Sequence, residues 1–287
     1  MTLPAGPYLG QTAALVTLHG KDKAIARAFR AALNMKLYVT SDVDTDRLGT
    51  FAGDVERVGT PRDVAVRKAR MGMESAGLEF GVANEGTFGA HPFVPFARVD
   101  HELLVFVDDA REFVLSESIL WPKTNFASAV VSSTEEFDDF LTRALFPSHA
   151  LIVRPNDRVE SASIQKGVCD QVVLRRAVAQ AAALSADGKA WIETDMRASF
   201  NPTRMRVITR VACRLARRLA TPCPSCGAPG WGRIRVEDGL PCSRCESPTE
   251  IPRGEVKGCT ACDAQDFVAR SDGLLRADPA QCQFCNP

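Results

Sequence analysis

Four Cys-x-x-Cys pairs decide how the last quarter of the chain folds: CPSC at 223–226, CSRC at 242–245, CTAC at 259–262 and CQFC at 282–285. Two thiolates three positions apart can turn around one metal ion, and a second pair completes a tetrahedral four-sulfur site with no open position for water. Glycine and proline beside the pairs, as in the segment CPSCGAPG, suit tight turns. The sequence therefore predicts two closed metal sites, with the ligands Cys223, Cys226, Cys242, Cys245, Cys259, Cys262, Cys282 and Cys285.

The spacing between the pairs favours one arrangement without deciding it. Fifteen residues separate the first pair from the second, 13 the second from the third, and 19 the third from the fourth. The first and last gaps match the roughly 15–20 residues typical of ribbon sites, so we favour consecutive pairing. The middle gap is close to that range, which leaves an outer-and-inner pairing and an interleaved pairing open.

Zinc is the ion that this ligand set indicates, and an iron–sulfur cluster is the main alternative. A disulfide framework needs an oxidising compartment, and the N-terminal segment MTLPAGPYLG lacks the pattern of an export signal. We expect a double zinc-ribbon domain over 221–287, preceded by a body over 1–220.

The tail is predicted to be anionic. From 221 onward it carries seven basic and nine acidic residues, and each zinc with four thiolates adds a formal charge of about minus two. Such a surface repels phosphate backbones, so nucleic-acid binding by the tail is not expected. The predicted role of the tail is structural, or the docking of a protein partner.

The whole chain is electrically balanced, with 35 basic and 35 acidic residues among 287, and 45% of its residues are apolar. No apolar run approaches the roughly 20 residues of a membrane helix. We therefore expect a cytoplasmic protein that does not enter membranes.

Short apolar runs alternate with segments of helical period between 13 and 220. This alternation predicts an α/β domain with a mixed sheet flanked by helices. The predicted strands are 13–18, 36–40, 78–83, 102–107, 113–115, 150–153 and 189–193; the predicted helices are 23–33, 61–77, 169–184 and 202–219, with a further helix capped by Thr134.

The segment HGKDK at 19–23 is the first of three that carry residues suited to chemistry. It lies between a predicted strand and a predicted helix, where free backbone N–H groups and the helix dipole favour an anion. His19, Lys21 and Lys23 are therefore candidate phosphate-binding residues. The alternative is a lysine-rich surface turn.

The second segment, ANEGTFG at 83–89, follows a largely apolar strand. A carboxylate at the end of a strand, flanked by glycines, is placed to hold a divalent ion beside a bound phosphate, which makes Glu85 a candidate catalytic residue. The alternative is that Glu85 pairs with Arg62 or Arg67.

The third segment combines ETDMR at 193–197 with NPTR at 201–204. Asn201 and the following proline predict the start of a helix. Arg197 and Arg204 would bracket this start and form a second phosphate-binding site, while Asp195 could bind a metal or clamp an arginine. The alternative is that these charges only satisfy one another.

The helix that begins there has one apolar face and one face rich in arginine. This arginine-rich face could be exposed to solvent, bind a nucleic-acid backbone or contact the anionic tail. We favour the tail because it is adjacent in the chain and opposite in charge. The stripe consists of Arg206, Arg210, Arg214, Arg217 and Arg218.

The chain resembles a bacterial family of unknown function in which an α/β body precedes paired zinc ribbons. The likeness rests on LHGKDKAIARAF, VANEGTFGAHP, ETDMRASFNPTRM and the segments CPSCG, GLPCSRC, GCTAC and ADPAQCQFCNP. Roughly the first 110 residues are also similar to the inosine/xanthosine triphosphatase-like pyrophosphatases. That resemblance implies a lysine-bearing turn, here Lys21 or Lys23, and an acidic metal ligand, here Glu85. This chain has His19 where the first motif of the pyrophosphatases has asparagine. The position of the lysine in that motif corresponds to Asp22 in this chain.

These features predict a metal-assisted hydrolase that acts on a nucleotide or a related phosphate ester. Glu85 would hold Mg²⁺, the lysines and arginines would neutralise the phosphates, and Asp195 would bind metal or orient water. One rival is a non-catalytic module that binds a ligand or a protein. Another is nucleic-acid binding through the arginine stripe of the 203–219 helix.

Overall fold

The computed structural model describes residues 6–17, 20–40, 59–91, 94–132 and 137–287. Their contacts divide them into two compact units. The larger unit holds the described residues of Thr12–Ala31 and Met35–Leu215. The smaller unit holds Ala216–Pro287 with Ala32–Asn34 and the described residues among the first eleven.

Five α-helices and twelve strands lie within the described ranges. The helices are α1 (Asp22–Leu33), α2 (Pro61–Ala76), α3 (Asp138–Ala144), α4 (Gln171–Leu184) and α5 (Pro202–Leu219). The strands are β1 (Thr12–Val16), β2 (Lys36–Thr40), β3 (Phe80–His91), β4 (Val94–Asp108), β5 (Phe113–Trp121), β6 (Ser128–Ser132), β7 (Leu151–Pro155), β8 (Gln165–Val168), β9 (Lys189–Thr194), β10 (Gly232–Asp238), β11 (Pro252–Gly258) and β12 (Gln265–Ala269). No described helix is long and apolar enough to cross a membrane.

The first sheet of the larger unit has the strand order β2-β1-β3-β4-β5. Strand β1 runs parallel to β2 and β3, whereas β4 is antiparallel to both β3 and β5. Because β1 and β3 are parallel and Val16 pairs with Ala83, the end of β1 and the second half of β3 lie at the same edge of the sheet.

Helix α2 covers one face of this sheet. Thr60 and Asp63 form a reciprocal capping box at its start, and Gly77 ends it in the left-handed conformation. A Cβ at Gly81 would lie 2.7 Å from the carbonyl oxygen of Ala69, so this glycine permits the close approach of helix and strand. The packed cluster consists of Ala65, Val66, Ala69, Met73, Ala83, Leu103, Val105 and Val107.

The second sheet has the order β6-β9-β7-β8 and is antiparallel throughout. One face carries Leu151, Val153 and Ile192, which pack with residues of α3 and α4 in a second core. Side chains alternate along a strand, so the residues between these point to the opposite face. That face carries the half-buried Ile152, Arg154, Trp191 and Glu193.

The tail folds around an antiparallel sheet of order β10-β11-β12. Gly232 pairs with Gly258 and Gly258 pairs with Gln265, so the start of β10, the end of β11 and the start of β12 lie together. The opposite strand ends meet at the other side, where Asp238 pairs with Pro252.

The structure confirms the mixed α/β class and the cysteine-clustered tail. It divides the body strands between two sheets, which the alternation of elements did not distinguish. Helices α2 and α5 agree with prediction to within one residue at their ends. The predicted cap Thr134 lies outside the described residues, which resume at 137 before α3.

Strand β3 is longer than predicted, and this changes the position of Glu85. The prediction ended the strand at residue 83, whereas β3 continues to His91 and Glu85 pairs with Leu103 inside the ladder. The cause is the length of β4, which runs antiparallel beside it and continues the hydrogen bonding. Glu85 therefore does not follow a strand end.

Candidate active site and candidate metal centres

A cleft of about 550 Å³ lies between the outer half of β3 and the second sheet. One wall is formed by Gly86–Phe88 and Phe126, and the other by residues of β7, β8 and β9 and of the segment after β9. The volume is in the usual range for a small-molecule site, roughly 300–1,000 Å³. The full lining is Gly86, Thr87, Phe88, Phe126, Ile152, Arg154, Val159, Ile164, Lys166, Glu193, Thr194, Asp195, Met196 and Arg197.

The lining combines charge with aromatic surface. Its cations are Arg154, Lys166 and Arg197, and its carboxylates are Glu193 and Asp195. The rings of Phe88 and Phe126 lie with centroids 5.8 Å apart. A ligand with an anionic part and a flat apolar part matches this composition.

Asp195 clamps Arg197 at the rim of the cleft. Its Oδ2 lies 2.6 Å from Arg197 Nη2, and it also accepts hydrogen bonds from the backbone N–H groups of Gly167 and Arg197. Asp195 is fully buried, whereas Arg197 is 27% exposed on its side chain and stacks on Phe200. Of the two predicted roles for Asp195, metal ligand or arginine clamp, the geometry realises the clamp.

Arg204 lies behind the cleft in a buried ion pair. Its Nε donates to Glu102 Oε1 at 2.6 Å, its Nη1 donates to the carbonyl of Met196 at 2.6 Å, and it stacks over Phe88. The side chains of Arg204 and Glu102 are 1% and 0% exposed. Arg204 thus joins β3, β4 and the segment after β9, and it is not part of the cleft lining.

Two further polar residues are buried beside this pair. Asn84 donates to Glu102 Oε2 at 2.8 Å and to the carbonyl of Leu103. Asp100 lies two residues before Glu102 on the same strand face, and burial together with the Glu102 carboxylate raises the pKa of Asp100 to about 8. The Arg204 guanidinium opposes this shift. Asp100 is therefore protonated at neutral pH and shares a hydrogen bond with Glu102.

Lys21 interacts electrostatically with Arg204, Glu102 and Glu85. Glu85 forms an ion pair with Lys68 of α2, whose side chain is 14% exposed, a partner that the predicted pairing with Arg62 or Arg67 did not include. Burial lowers the pKa of Lys21 to about 8, and Arg204 lowers it further, while Glu102 and Glu85 oppose the change. Lys21 lies directly before α1, and the charges of Glu85 and Glu102 both act on it.

The predicted site residues therefore separate into groups. Lys21, Glu85 and Arg204 belong to the buried charge network, whereas Asp195 and Arg197 line the cleft. Lys23 is exposed on α1 and is not part of the lining, and His19 lies outside the described residues. No described contact joins Glu85 to Asp195, and each already has a cationic partner.

Sequence reasoning missed Glu102, Asp100 and the cleft cations Arg154 and Lys166 of the second sheet. A signal for the first two was present, because VDHELLVFV places two acids in alternation within an apolar strand. Arg154 and Lys166 gave no comparable signal, since isolated cations in strands are common on surfaces.

The eight cysteines form two clusters of four. The first contains Cys223, Cys226, Cys259 and Cys262; the second contains Cys242, Cys245, Cys282 and Cys285. The favoured consecutive pairing is wrong, and the interleaved pairing is the one observed. The reason is the sheet of the tail: the first and third pairs lie at one end of the β10–β11 hairpin, and the second and fourth lie at the other.

The cysteine geometry fits zinc. In each cluster the sulfurs of facing pairs lie 3.6 and 3.9 Å apart. A tetrahedron with Zn–S bonds of about 2.3 Å requires a sulfur–sulfur separation of about 3.8 Å. Backbone N–H groups also donate to the leading sulfurs Cys223, Cys242 and Cys259, as in a metal knuckle.

The pKa values of the thiols also indicate a need for a cation. Hydrogen bonds from Ser247 lower the pKa of Cys245 to about 6, while the hydrogen bond with Cys245 raises the pKa of Cys285 to about 12. Negative charges on closely packed sulfurs repel one another, and a cation between them would offset that repulsion. Among the described residues, these clusters are the groups of three or more His, Cys, Asp and Glu side chains whose ligand atoms lie within 4.8 Å of one another.

The model of a domain of unknown function, DUF6671, matches residues 68–287 and so spans both the cleft and the cysteine clusters. The chain belongs to the DUF6671 family. No curated protein and no solved structure matches it. The DUF6671 match begins inside α2, so it includes Glu85, Arg197 and Arg204 but not Lys21.

The comparisons return no pyrophosphatase. The resemblance of the N-terminal part to that group therefore stays a hypothesis, and the DUF6671 match itself names no activity.

Proposed function

We propose that the DUF6671 body binds a nucleotide or a related phosphate ester in the cleft and hydrolyses it with the assistance of a divalent cation. The observation that carries the proposal is the lining, in which Arg154, Lys166 and Arg197 share a cavity of about 550 Å³ with the rings of Phe88 and Phe126. Guanidinium and ammonium groups neutralise phosphate oxygens, and an aromatic face stacks on a base.

Both carboxylates predicted to hold magnesium already have cationic partners. Glu85 and Asp195 are the carboxylates predicted to hold it, yet Lys68 engages the first and Arg197 the second. These two residues therefore do not fit a preformed magnesium site. A cation that accompanies the phosphates of the ligand is compatible with the lining.

The experiment measures release of phosphate and pyrophosphate from a panel of nucleoside triphosphates with Mg²⁺, together with the shift in melting temperature that each nucleotide causes. Arg197→Ala is expected to lose about 1.5–3 kcal/mol of binding, the value of a hydrogen bond to a charged group. Arg175→Ala, an exposed arginine of α4, is the matched control and is expected to behave as the native protein.

A stabilising nucleotide that is not consumed would favour a second candidate, a binding module without catalysis. The ion pairs of Glu85 and Asp195 favour this candidate, since both carboxylates are occupied. If no nucleotide of the panel raises the melting temperature and none is hydrolysed, both the hydrolase and the binding module are contradicted.

The arginine stripe gives less support to nucleic-acid binding. Arg210 stacks on Trp121 at 4.3 Å, Arg214 donates to the carbonyl of Ser118, and Arg206 donates to Thr203. Arg218 donates to the carbonyl of Gly230 in the tail. Each of these contacts occupies an arginine that a phosphate backbone would need.

The tail completes the proposal as a metal-stabilised unit. Two zinc ions would fold it by linking knuckles at both ends of its sheet, because so small a segment has little core of its own. Docking of a protein partner on the tail is the further role that we assign to it.

A further inference from the structure

The carboxylate of Glu193 in the cleft is held by a tryptophan, whereas that of Asp195 is held by an arginine. Glu193 lies on the cleft face of the second sheet, directly opposite Ile152 on β7. The indole Nε1 of Trp191 donates to Glu193 Oε2 at 3.1 Å. This hydrogen bond fixes the orientation of the carboxylate.

Trp191 is itself fixed. The guanidinium of Arg154 lies 4.9 Å from the centre of its ring, and Arg154 in turn donates to the carbonyls of Pro155 and Arg158. Arg154 is therefore oriented by the indole and by the backbone, not by Glu193. The stack forms a rigid platform along the cleft face of the sheet.

Glu193 has no cationic partner among the described residues, although three cations line the same cleft. The other carboxylate of the cleft, Asp195, uses both of its oxygens on Arg197 and on backbone N–H groups. An ionised carboxylate is an acceptor only, with about four lone-pair sites, and the indole uses one of them. Glu193 therefore has acceptor positions available for a ligand in the cleft.

We propose that Glu193 is the specificity-determining residue of the cleft and that it selects a base edge with two adjacent N–H donors, which among the common nucleobases is the edge of guanine. Guanine presents its ring N1–H beside its exocyclic amino group, and one carboxylate can accept from both. Hypoxanthine lacks the amino group, and xanthine places a carbonyl acceptor there. This inference rests on the proposed nucleotide binding and names the ligand class of the same cleft.

The selectivity follows from the binding free energy that is lost when the edge of a base lacks one of the two N–H donors. A site built to hydrogen-bond a donor discriminates strongly against an analogue that lacks it, because the polar group of the protein is left without its partner. Xanthine would bring an oxygen against the carboxylate, which is repulsive. The rings of Phe88 and Phe126 can stack on any base and do not discriminate between these three.

The test is calorimetric titration of the full chain with the 5′-triphosphates of guanosine, inosine and xanthosine. We expect the guanosine nucleotide to bind at least about tenfold more tightly than the inosine nucleotide, which corresponds to one hydrogen bond to a charged group. Glu193→Gln is expected to abolish this preference and to favour the xanthosine nucleotide, because an amide can both accept from N1–H and donate to the carbonyl.

Two further variants distinguish a change in nucleotide preference from a loss of the folded structure. Trp191→Phe removes the indole donor and keeps an aromatic ring, so the guanosine preference is expected to decrease about threefold or more while binding persists. Glu74→Gln, an exposed residue of α2, is the matched control and is expected to keep the native preference.

The outcomes separate this inference from the proposed function. Equal binding of the three nucleotides to the native protein, or an unchanged ranking in Glu193→Gln, overturns the role of Glu193 and leaves nucleotide binding intact. Absence of binding by all three to the native protein overturns the proposed function and this inference together.

Discussion

Arg204 Nε lies 2.6 Å from Glu102 Oε1, and this pair joins two residues that are 102 positions apart in the chain. Both side chains are almost completely buried. Taking two charges out of water is costly, and only close geometry with further hydrogen bonds offsets that cost. Here Asn84 and the carbonyl of Met196 provide those bonds. The pair therefore fixes the position of α5 relative to β4, directly behind the cleft.

Removal of one partner of this pair should destabilise the body strongly. Arg204→Met leaves Glu102 buried without a cation, and we expect a loss of about 3–5 kcal/mol in the free energy of unfolding. Urea denaturation followed by tryptophan fluorescence measures it, since Trp121 and Trp191 lie in the body. The double variant Arg204→Met/Glu102→Gln should recover part of the loss. A single variant within about 0.5 kcal/mol of the native protein would contradict the buried pair.

The same network predicts an unusual pH dependence from Asp100. The pKa of Asp100 is raised to about 8 in the folded protein, whereas an unfolded chain releases this proton near pH 4. A raised pKa means that the proton is bound more tightly when the protein is folded. The stability that it contributes is complete below about pH 4 and is lost as the pH rises toward about 8.

Asp100→Asn should remove this loss, because an amide cannot ionise and still donates to Glu102. We expect the variant to exceed the native protein by more than about 1 kcal/mol at pH 8 and the difference to shrink toward pH 4. Denaturation midpoints at pH 5, 7 and 8 measure it. Asp139→Asn, an exposed residue of α3, serves as the control. An Asp100→Asn protein less stable than native at pH 8 would show that Asp100 is ionised in the fold.

The local signals of the sequence predicted the helices well. The capping box at Thr60 and Asp63 and the asparagine–proline pair before α5 act within a few residues, so their effect can be read from the chain. The eight metal ligands were also found, because Cys-x-x-Cys spacing is local.

What the sequence did not predict depends on contacts between distant segments. Glu85 was placed after a strand, although it lies inside one, because only the partner strand β4 decides where β3 ends. The cysteine pairs were matched by sequence distance, whereas the antiparallel sheet brings alternate pairs together. The cleft itself depends on two separate sheets, which no local pattern specifies.

The interleaved cysteine pairing can be tested by metal content. The native protein should carry about two zinc ions, one for each cluster of four thiolates. Cys223→Ser/Cys259→Ser removes two ligands of one cluster and should leave about one zinc ion. Cys223→Ser/Cys242→Ser removes one ligand from each cluster and should weaken both.

Atomic emission on dialysed protein measures the zinc content of these variants. Consecutive pairing would reverse the two results, because Cys223 and Cys242 would then share a site. Cys169→Ser is the control, since this exposed cysteine belongs to neither cluster and its replacement should leave two zinc ions.

His149 gives a second pH-dependent prediction, of opposite sign to that of Asp100. Its Nε2 accepts a hydrogen bond from the backbone N–H of Thr203 at 3.1 Å, in the first turn of α5. A protonated imidazole has no acceptor, so the cap requires the neutral ring. Burial lowers the pKa of His149, and the charge of Arg206 lowers it further.

A lowered pKa means that the unfolded chain binds the proton more tightly than the folded protein does. The stability from His149 is therefore complete above about pH 6.5 and is lost as the pH falls below it. His149→Gln keeps an acceptor near the Nε2 position and does not titrate, so its stability should change less between pH 7 and pH 5. We expect the native protein to lose more stability than the variant over this interval, measured by urea denaturation. Equal losses in the two proteins would show that the imidazole is not the cap of α5.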